Sequence, residues 1–137
     1  MPHRYLPHTA DVRVEILAST LEELLAESVA VVRELVGGDS PVADREGRRL
    51  TIDAPEATAL VRQLVRQLLD WYGTEGFIPG RLAVGSLDRF RLVGAIRGEI
   101  AHPSRHPPQP EVKALTRHDF DVRKTSAGWR AEMLFDV

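Results

Sequence analysis

The 137-residue chain is predicted to adopt an α+β fold: one domain over residues 1–137, with two α-helices packed on a mostly antiparallel or mixed β-sheet. Three observations predict this class. Apolar residues recur with a period of two near both ends of the chain, and two segments with helical periodicity lie in the first half. The second half consists of strand-like segments joined by short connections, which is typical of antiparallel pairing. A crossover helix between strands would also allow some parallel pairing.

The composition excludes several classes of protein. Without cysteine, the chain has no disulfide framework, thiolate zinc site or cysteine nucleophile. No apolar run approaches the roughly 18 residues that span a bilayer, and the first residues lack a signal-peptide hydrophobic stretch, so we expect a cytoplasmic protein with no membrane partner. The 18 basic residues are offset by 20 acidic ones along the whole chain, so tight direct binding of nucleic acid is not expected.

The first elements follow from local pattern. Val12, Val14 and Ile16 alternate with charged residues, which predicts a strand over residues 11–17 with one buried face. Residues 5–6 are predicted to form a short piece of strand before it.

Both helices have recognisable ends. The first is predicted to begin after Thr20, because Thr20 and Glu23 have the spacing of a capping box, and to stop at the glycines of residues 37–38. A short strand around residues 50–52 precedes the second helix, whose first turn would contain Pro55.

The second half is predicted to be β-structure. Residues 85–88 have the length of a hairpin connection, and four prolines between residues 101 and 110 predict an exposed loop. The predicted strands here cover residues 81–84, 90–100, 111–117, 120–124 and 129–135, with the last running on to the final residue.

The chain lacks the familiar catalytic motifs. It contains no phosphate-binding loop followed by Lys-Ser or Lys-Thr, no Gly-x-Ser-x-Gly elbow, no His-Glu-x-x-His and no dinucleotide fingerprint. His102 and His106 are four residues apart, but in a proline-rich loop they do not share a helix face, and no third soft ligand lies nearby in sequence. These absences argue against most enzyme classes and against a zinc site.

Acidic groups near the two ends of the chain are the candidate metal ligands. Asp11 follows His8-Thr9-Ala10 in a turn that leads into a strand, and Asp136 stands beside the α-carboxylate of Val137. Two carboxylates about 4 Å apart repel by about 4 kcal/mol at an effective dielectric of 20, so such a cluster keeps a proton or holds a cation. If Asp11 reaches this place, three oxygen donors converge, which favours calcium or magnesium. The alternative is that Asp11 caps a turn and Asp136 is solvated.

A second candidate surface lies between the proline-rich loop and the end of the chain. Lys113 and Arg117 would share one face of the strand predicted over residues 111–117, where they could present cations to a phosphate or an acidic partner. The alternative is an ordinary exposed strand face followed by a turn at His118-Asp119.

Taken together, these segments resemble the archease family along nearly the full chain. The residues that carry the resemblance are His8-Thr9-Ala10-Asp11, Thr20-Leu21-Glu22-Glu23, Leu68-Leu69, Gly98-Glu99, Lys113-Ala114-x-Thr116-x-His118, and a last strand with Trp129 and Asp136.

The resemblance implies a function in tRNA processing. Members of this family are non-catalytic protein cofactors of the GTP-dependent RtcB-type tRNA-splicing RNA ligase, whose guanylylation and multiple turnover they promote. The family also binds a divalent cation, which implies calcium, or alternatively magnesium or manganese, held here by Asp11, Asp136 and the terminal carboxylate of Val137. Lys113 matches a functionally important lysine, and His8 and His118 match motif histidines.

Two other functions are left open. The first is a chaperone-like modulator of a tRNA-modifying enzyme such as a tRNA methyltransferase, a role also attached to the family. The second is a stand-alone metal-dependent hydrolase that uses the carboxylate cluster, although no general base or substrate pocket is evident in the sequence.

Overall fold

The computed structural model describes residues 2–6, 11–107, 114–115 and 120–136, with only the backbone at 114–115. Within these residues the chain forms eight strands and two helices. In chain order they are β1 (His3–Leu6), β2 (Asp11–Ala18), α1 (Leu21–Gly37), β3 (Glu46–Asp53), α2 (Ala57–Glu75), β4 (Phe77–Asp88), β5 (Arg91–Ile100), β6 (Ala114–Leu115), β7 (Asp121–Thr125) and β8 (Gly128–Asp136).

The strands form two sheets, and the α+β class is confirmed. The large sheet has the order β1-β2-β8-β6, with β7 also paired to β8, and the small sheet has the order β3-β5-β4. Every strand pair among the described residues is antiparallel, so the parallel pairing that a crossover helix would have allowed is not found among them. The reason is that the crossover through α1 delivers β3 to the other sheet instead of returning it beside β2.

Helix α1 begins as predicted. The Thr20 hydroxyl accepts a hydrogen bond from the Glu23 N–H at 3.1 Å, and the Glu23 carboxylate accepts one from the Ser19 N–H. The helix ends at Gly37, and Gly38, with a positive φ of 61°, closes it by donating its N–H to the Glu34 carbonyl.

Helix α2 begins slightly later than predicted. Glu56 is its N-cap, without a side-chain capping bond, so Pro55 lies before the first turn and not within it. The residue before a helix must leave the helical region of the backbone, and Glu56 is extended there. Gly76, in the left-handed conformation, ends the helix.

The β4–β5 hairpin corrects another prediction. Residues 85–88 belong to β4, and the turn is at Arg89 and Phe90, where Arg89 has a φ of 52°. Gly85 looks like a turn residue, but the register shifts between Val84 and Ser86, which marks a bulge within a continuous strand. A glycine inside a strand pattern therefore indicated an irregularity, not the end of the strand.

One continuous core joins both sheets and both helices. Helix α1 packs on β4, β2, β8 and α2, and α2 packs on β4 and β7. On the large sheet, Val14, Ile16 and Met133 are fully buried in this core. Residues that alternate with them along β2 and β8 lie on the opposite, outer face of the sheet. Neither helix is both long enough and apolar enough to cross a membrane, over the part of the chain that is described.

Candidate functional site

Asp11 and Asp136 lie directly opposite each other at the end of the β2–β8 ladder. Directly paired residues of antiparallel strands point to the same face, with their Cβ atoms about 4.5 to 5.5 Å apart. Both residues are partly exposed. The structure thus brings together two of the three predicted metal ligands, although they come from opposite ends of the sequence.

A third strand extends this row. Ala114 of β6 is paired with Asp136, so the backbone places Asp11, Asp136 and Ala114 side by side across three neighbouring strands. Strand β6, which follows the motif lysine in the sequence, therefore lies beside Asp136. The other predicted site residues lie outside the described residues: His8, Lys113, His118 and Val137.

A second pair of like charges lies on the same face of the sheet. It follows the Asp11–Asp136 pair and then the Arg13–Leu134 pair along β2 and β8. Glu15 is directly opposite Glu132. The guanidinium of Arg130 contacts both carboxylates, at 2.8 Å from Glu15 and 2.9 Å from Glu132. Arg4 donates to Glu15 at 2.7 Å, and Arg13 forms an ion pair with Glu132.

These cations change the acidity of the second pair. Hydrogen bonding to Arg4, opposed by burial and reinforced by Arg130, holds the pKa of Glu15 below its ordinary value. The Glu15–Glu132 pair shows how this sheet accommodates two facing carboxylates, namely by surrounding them with positive charge.

The Asp11–Asp136 pair supplies hard oxygen donors on an accessible face. Two carboxylates suit a divalent cation such as Ca²⁺, which prefers six to eight oxygen ligands. The described part of the chain holds no cluster of three or more histidine, aspartate, glutamate or cysteine side chains suited to a metal. Two side chains therefore form the described portion of the candidate site.

A buried carboxylate with polar and cationic partners lies elsewhere, near the end of β5. Glu99 is only 3% exposed, and its carboxylate accepts hydrogen bonds from the Ala43 N–H and from Arg105, the latter at 2.6 Å. His106 Nε2 lies 3.5 Å from the same carboxylate. Burial alone would raise the pKa of Glu99, but the Ala43 N–H, Arg105 and His106 outweigh burial and hold this pKa below its ordinary value.

This cluster was not predicted from the sequence pattern. The loop over residues 101–110 was expected to be exposed, yet His106 is only 6% exposed. Its Nδ1 accepts from the His102 N–H at 2.9 Å, and its Nε2 lies 3.1 Å from the Pro41 carbonyl oxygen. Protein groups thus occupy both ring nitrogens, which agrees with the argument against a zinc site at His102 and His106. The available signal was the Gly98-Glu99 pair, which is part of the family resemblance.

Comparison with known proteins identifies relatives over almost the whole chain. Residues 3–137 match the Archease protein family (MTH1598/TM1083). The chain is 30% identical over 134 residues to protein archease of Thermococcus gammatolerans, covering 95% of this chain and 94% of that protein. It is 27% identical to protein archease of Methanopyrus kandleri, with 100% of both chains covered.

A solved structure has the same fold. The solution structure of Methanobacterium thermoautotrophicum protein 1598 superposes with a TM-score of 0.77 and covers 99% of both chains at 23% sequence identity. The arrangement of two sheets and two helices is therefore similar in the two proteins.

Proposed function

The chain belongs to the archease family, and we propose that it acts as a non-catalytic protein cofactor of an RtcB-type tRNA-splicing RNA ligase. In this role it promotes guanylylation of the ligase and multiple turnover, while the ligase performs the covalent chemistry. Family membership supports the assignment of the partner. The observation that carries the proposed mechanism is the direct pairing of Asp11 with Asp136 on an accessible sheet face.

The acidic pair is the proposed metal site. Two facing carboxylates repel each other, and one divalent cation between them removes that repulsion. We assign Ca²⁺ as the preferred ion, with Mg²⁺ or Mn²⁺ as alternatives, because the donors are oxygen atoms. The terminal carboxylate of Val137 is proposed as a further ligand.

The position of the pair suits contact with another protein. Asp11 and Asp136 lie on the outer face of the large sheet, at the end of two strands, and both are partly exposed. A cation held there could be shared with groups of a partner, since Ca²⁺ accepts additional oxygen ligands. Lys113, adjacent in sequence to Ala114 in the same row, is proposed to contact the ligase or its nucleotide, with His8 and His118 as neighbouring motif residues.

A reconstituted ligation assay tests the proposal. The cognate ligase is assayed for guanylylation and for turnovers per enzyme, with and without substoichiometric amounts of this protein. The wild-type chain should stimulate both, whereas Asp11→Asn and Asp136→Asn should lose most of the stimulation. Asp70→Asn, which removes one exposed carboxylate from α2, is the matched control and should stimulate fully. Full stimulation by the Asp11 and Asp136 variants would refute the metal-site mechanism.

The same preparation distinguishes the two other functions. A chaperone of a tRNA-modifying enzyme would have to be present in stoichiometric amounts and would prevent aggregation of that enzyme. A metal-dependent hydrolase would turn over simple phosphoesters by itself with Ca²⁺, Mg²⁺ or Mn²⁺. Either result without ligase stimulation would replace the proposed function.

A further inference from the structure

A cavity of about 450 Å³ lies between the loop that follows α1 and the small sheet. Three arginines line it, each from a different element: Arg33 from α1, Arg81 from β4 and Arg97 from β5. The loop side contains Asp44. We call this feature the arginine cavity. It lies on a different sheet from the Asp11–Asp136 pair.

Two of the arginines face each other. Arg81 and Arg97 are directly paired in the β4–β5 register, which places like charges side by side on one face. The Asp44 carboxylate bridges them, with one oxygen 3.0 Å from Arg81 Nη2 and the other bonded to Arg97 Nε. Hydrogen bonds from Arg97 and Arg81 hold the pKa of Asp44 below its ordinary value, so this carboxylate is ionised at neutral pH.

The third arginine has no acidic partner in the described part of the chain. Arg33 is half-buried, and its Nη1 donates to the Gly80 carbonyl at 2.7 Å, a neutral acceptor. A cation withdrawn from water without a counter-charge is unfavourable. Three guanidinium groups against one carboxylate leave an excess of two positive charges around the cavity.

Two glycines make room for this arrangement. Gly47 is paired with Arg97, and a Cβ atom at Gly47 would lie 2.5 Å from Arg97 Nη1. A Cβ atom at Gly80 would lie 2.9 Å from the Arg97 carbonyl oxygen and 3.4 Å from the Val42 side chain. The absence of a side chain at Gly47 leaves space for the Arg97 guanidinium, and its absence at Gly80 lets the loop approach β4 closely.

We propose that the arginine cavity binds a phosphate group. A planar guanidinium presents paired donors that match phosphate oxygens, and a phosphate monoester carries about −1.5 to −2 charge at pH 7, close to the excess positive charge of the cavity. The phosphate can belong to a free compound or to an RNA backbone, where each diester offers two such oxygens and one negative charge. The site goes beyond the proposed ligase role and uses none of its residues.

Calorimetric titration of the full chain at low salt tests the site, with pyrophosphate as the probe of free phosphate and a single-stranded RNA 10-mer as the probe of backbone phosphate. Pyrophosphate should bind saturably. Arg97→Gln and Arg33→Gln should each weaken binding about tenfold, because a charged hydrogen bond is lost. The matched control is Arg91→Gln, which removes the same charge from the same face of β5, about 20 Å further along the strand. It should leave the affinity within twofold of wild type.

Removing the Asp44 carboxylate should have the opposite effect on phosphate affinity. Asp44→Asn should strengthen pyrophosphate binding, because it leaves three cations without an internal anion. If RNA is the source, the dependence of log affinity on log salt should become shallower by about one in Arg97→Gln but not in Arg91→Gln. If pyrophosphate binding depends on Arg97 and RNA binding does not, the ligand is a free phosphate compound. This result supports the proposed phosphate site.

Four results would overturn the proposal. They are absence of saturable pyrophosphate binding, equal weakening by Arg91→Gln and Arg97→Gln, weaker binding by a folded Asp44→Asn variant, and equally tight binding of a polyglutamate peptide. Thermal unfolding of each variant verifies that it is folded before its binding is compared with that of wild type.

Discussion

Asp11 faces Asp136 across the β2–β8 ladder, two residues beyond the row in which Arg13 faces Leu134. One of these carboxylates belongs to β2 and the other to β8, which are far apart in the chain, so the folded sheet, and not local sequence, creates the pair. Facing like charges destabilise a sheet by a few tenths of a kcal/mol up to about 1 kcal/mol.

Asp136→Asn is expected to raise the thermal midpoint in EDTA and to abolish the stabilisation by Ca²⁺. In wild type, a ligand at 100 times its Kd stabilises the native state by about 2.7 kcal/mol. Differential scanning calorimetry with EDTA and with millimolar Ca²⁺ measures both effects. Asp70→Asn should change neither. A Ca²⁺ shift that survives in Asp136→Asn would place the ion elsewhere.

Glu99→Gln is expected to destabilise the protein by about 2 to 3 kcal/mol at pH 7, because Arg105 and the Ala43 N–H lose a buried anionic acceptor. The pKa of Glu99 in the folded state is below its ordinary value of 4.5. Its contribution to stability is therefore complete above about pH 4.5 and is lost as pH falls through the lower folded value.

Urea unfolding from pH 7 to pH 3 measures this contribution. The difference between wild type and Glu99→Gln should shrink as the pH falls. Glu46→Gln is the control, since the Glu46 side chain is 40% exposed and its ion pair with Arg48 contributes little. A constant difference across the whole pH range would contradict the argument.

Two glycine substitutions should change the free energy of unfolding in opposite directions. A Cβ atom at Gly98 would collide with the Ile78 carbonyl oxygen and lie 3.0 Å from the Gly80 nitrogen, so Gly98→Ala should cost about 3 kcal/mol. Gly73 is exposed in α2, and a Cβ atom there would meet nothing within 4 Å. Gly73→Ala should stabilise by about 0.5 to 1 kcal/mol. Chemical denaturation of both variants verifies the signs.

Removal of the N-terminal cap of α1 should measurably lower the free energy of unfolding. Thr20→Ala deletes the acceptor of the Glu23 N–H and should cost about 1 kcal/mol. Thr20→Ser retains the hydroxyl and should stay within about 0.3 kcal/mol of wild type. Equal losses in the two variants would show that the methyl group, not the hydrogen bond, matters at this position.

Sequence pattern predicted what is decided locally. The Thr20–Glu23 spacing located the start of α1, and the alternation around Val14 located the buried face of β2, because both depend on residues close together in the chain. The position of the β4–β5 turn could not be predicted in this way. Gly85 has the same local signal in a bulge as in a turn, and pairing with Val93 and Leu92 decides between them.

The candidate site likewise has features that the sequence indicates and features that depend on the fold. The sequence and its family resemblance indicated Asp11 and Asp136 as ligands, but their pairing depends on strand register, which only the fold supplies. In the sequence, Glu99 is recognisable only as part of the Gly98-Glu99 motif. Its burial depends on Ala43 and Arg105, which reach it from separate loops, and no periodicity in the sequence reports such a convergence.

Strand β8 is an interior strand of the large sheet, and its last described residue is paired with β2 on one side and with β6 on the other. A ligand on a flexible segment must be ordered again each time it binds an ion. The backbone of Asp136 is preorganised instead. Amide hydrogen exchange near the end of β8 should accordingly be slow even without metal, so that the affinity of the proposed ion site would depend on the carboxylates and not on the ordering of the chain.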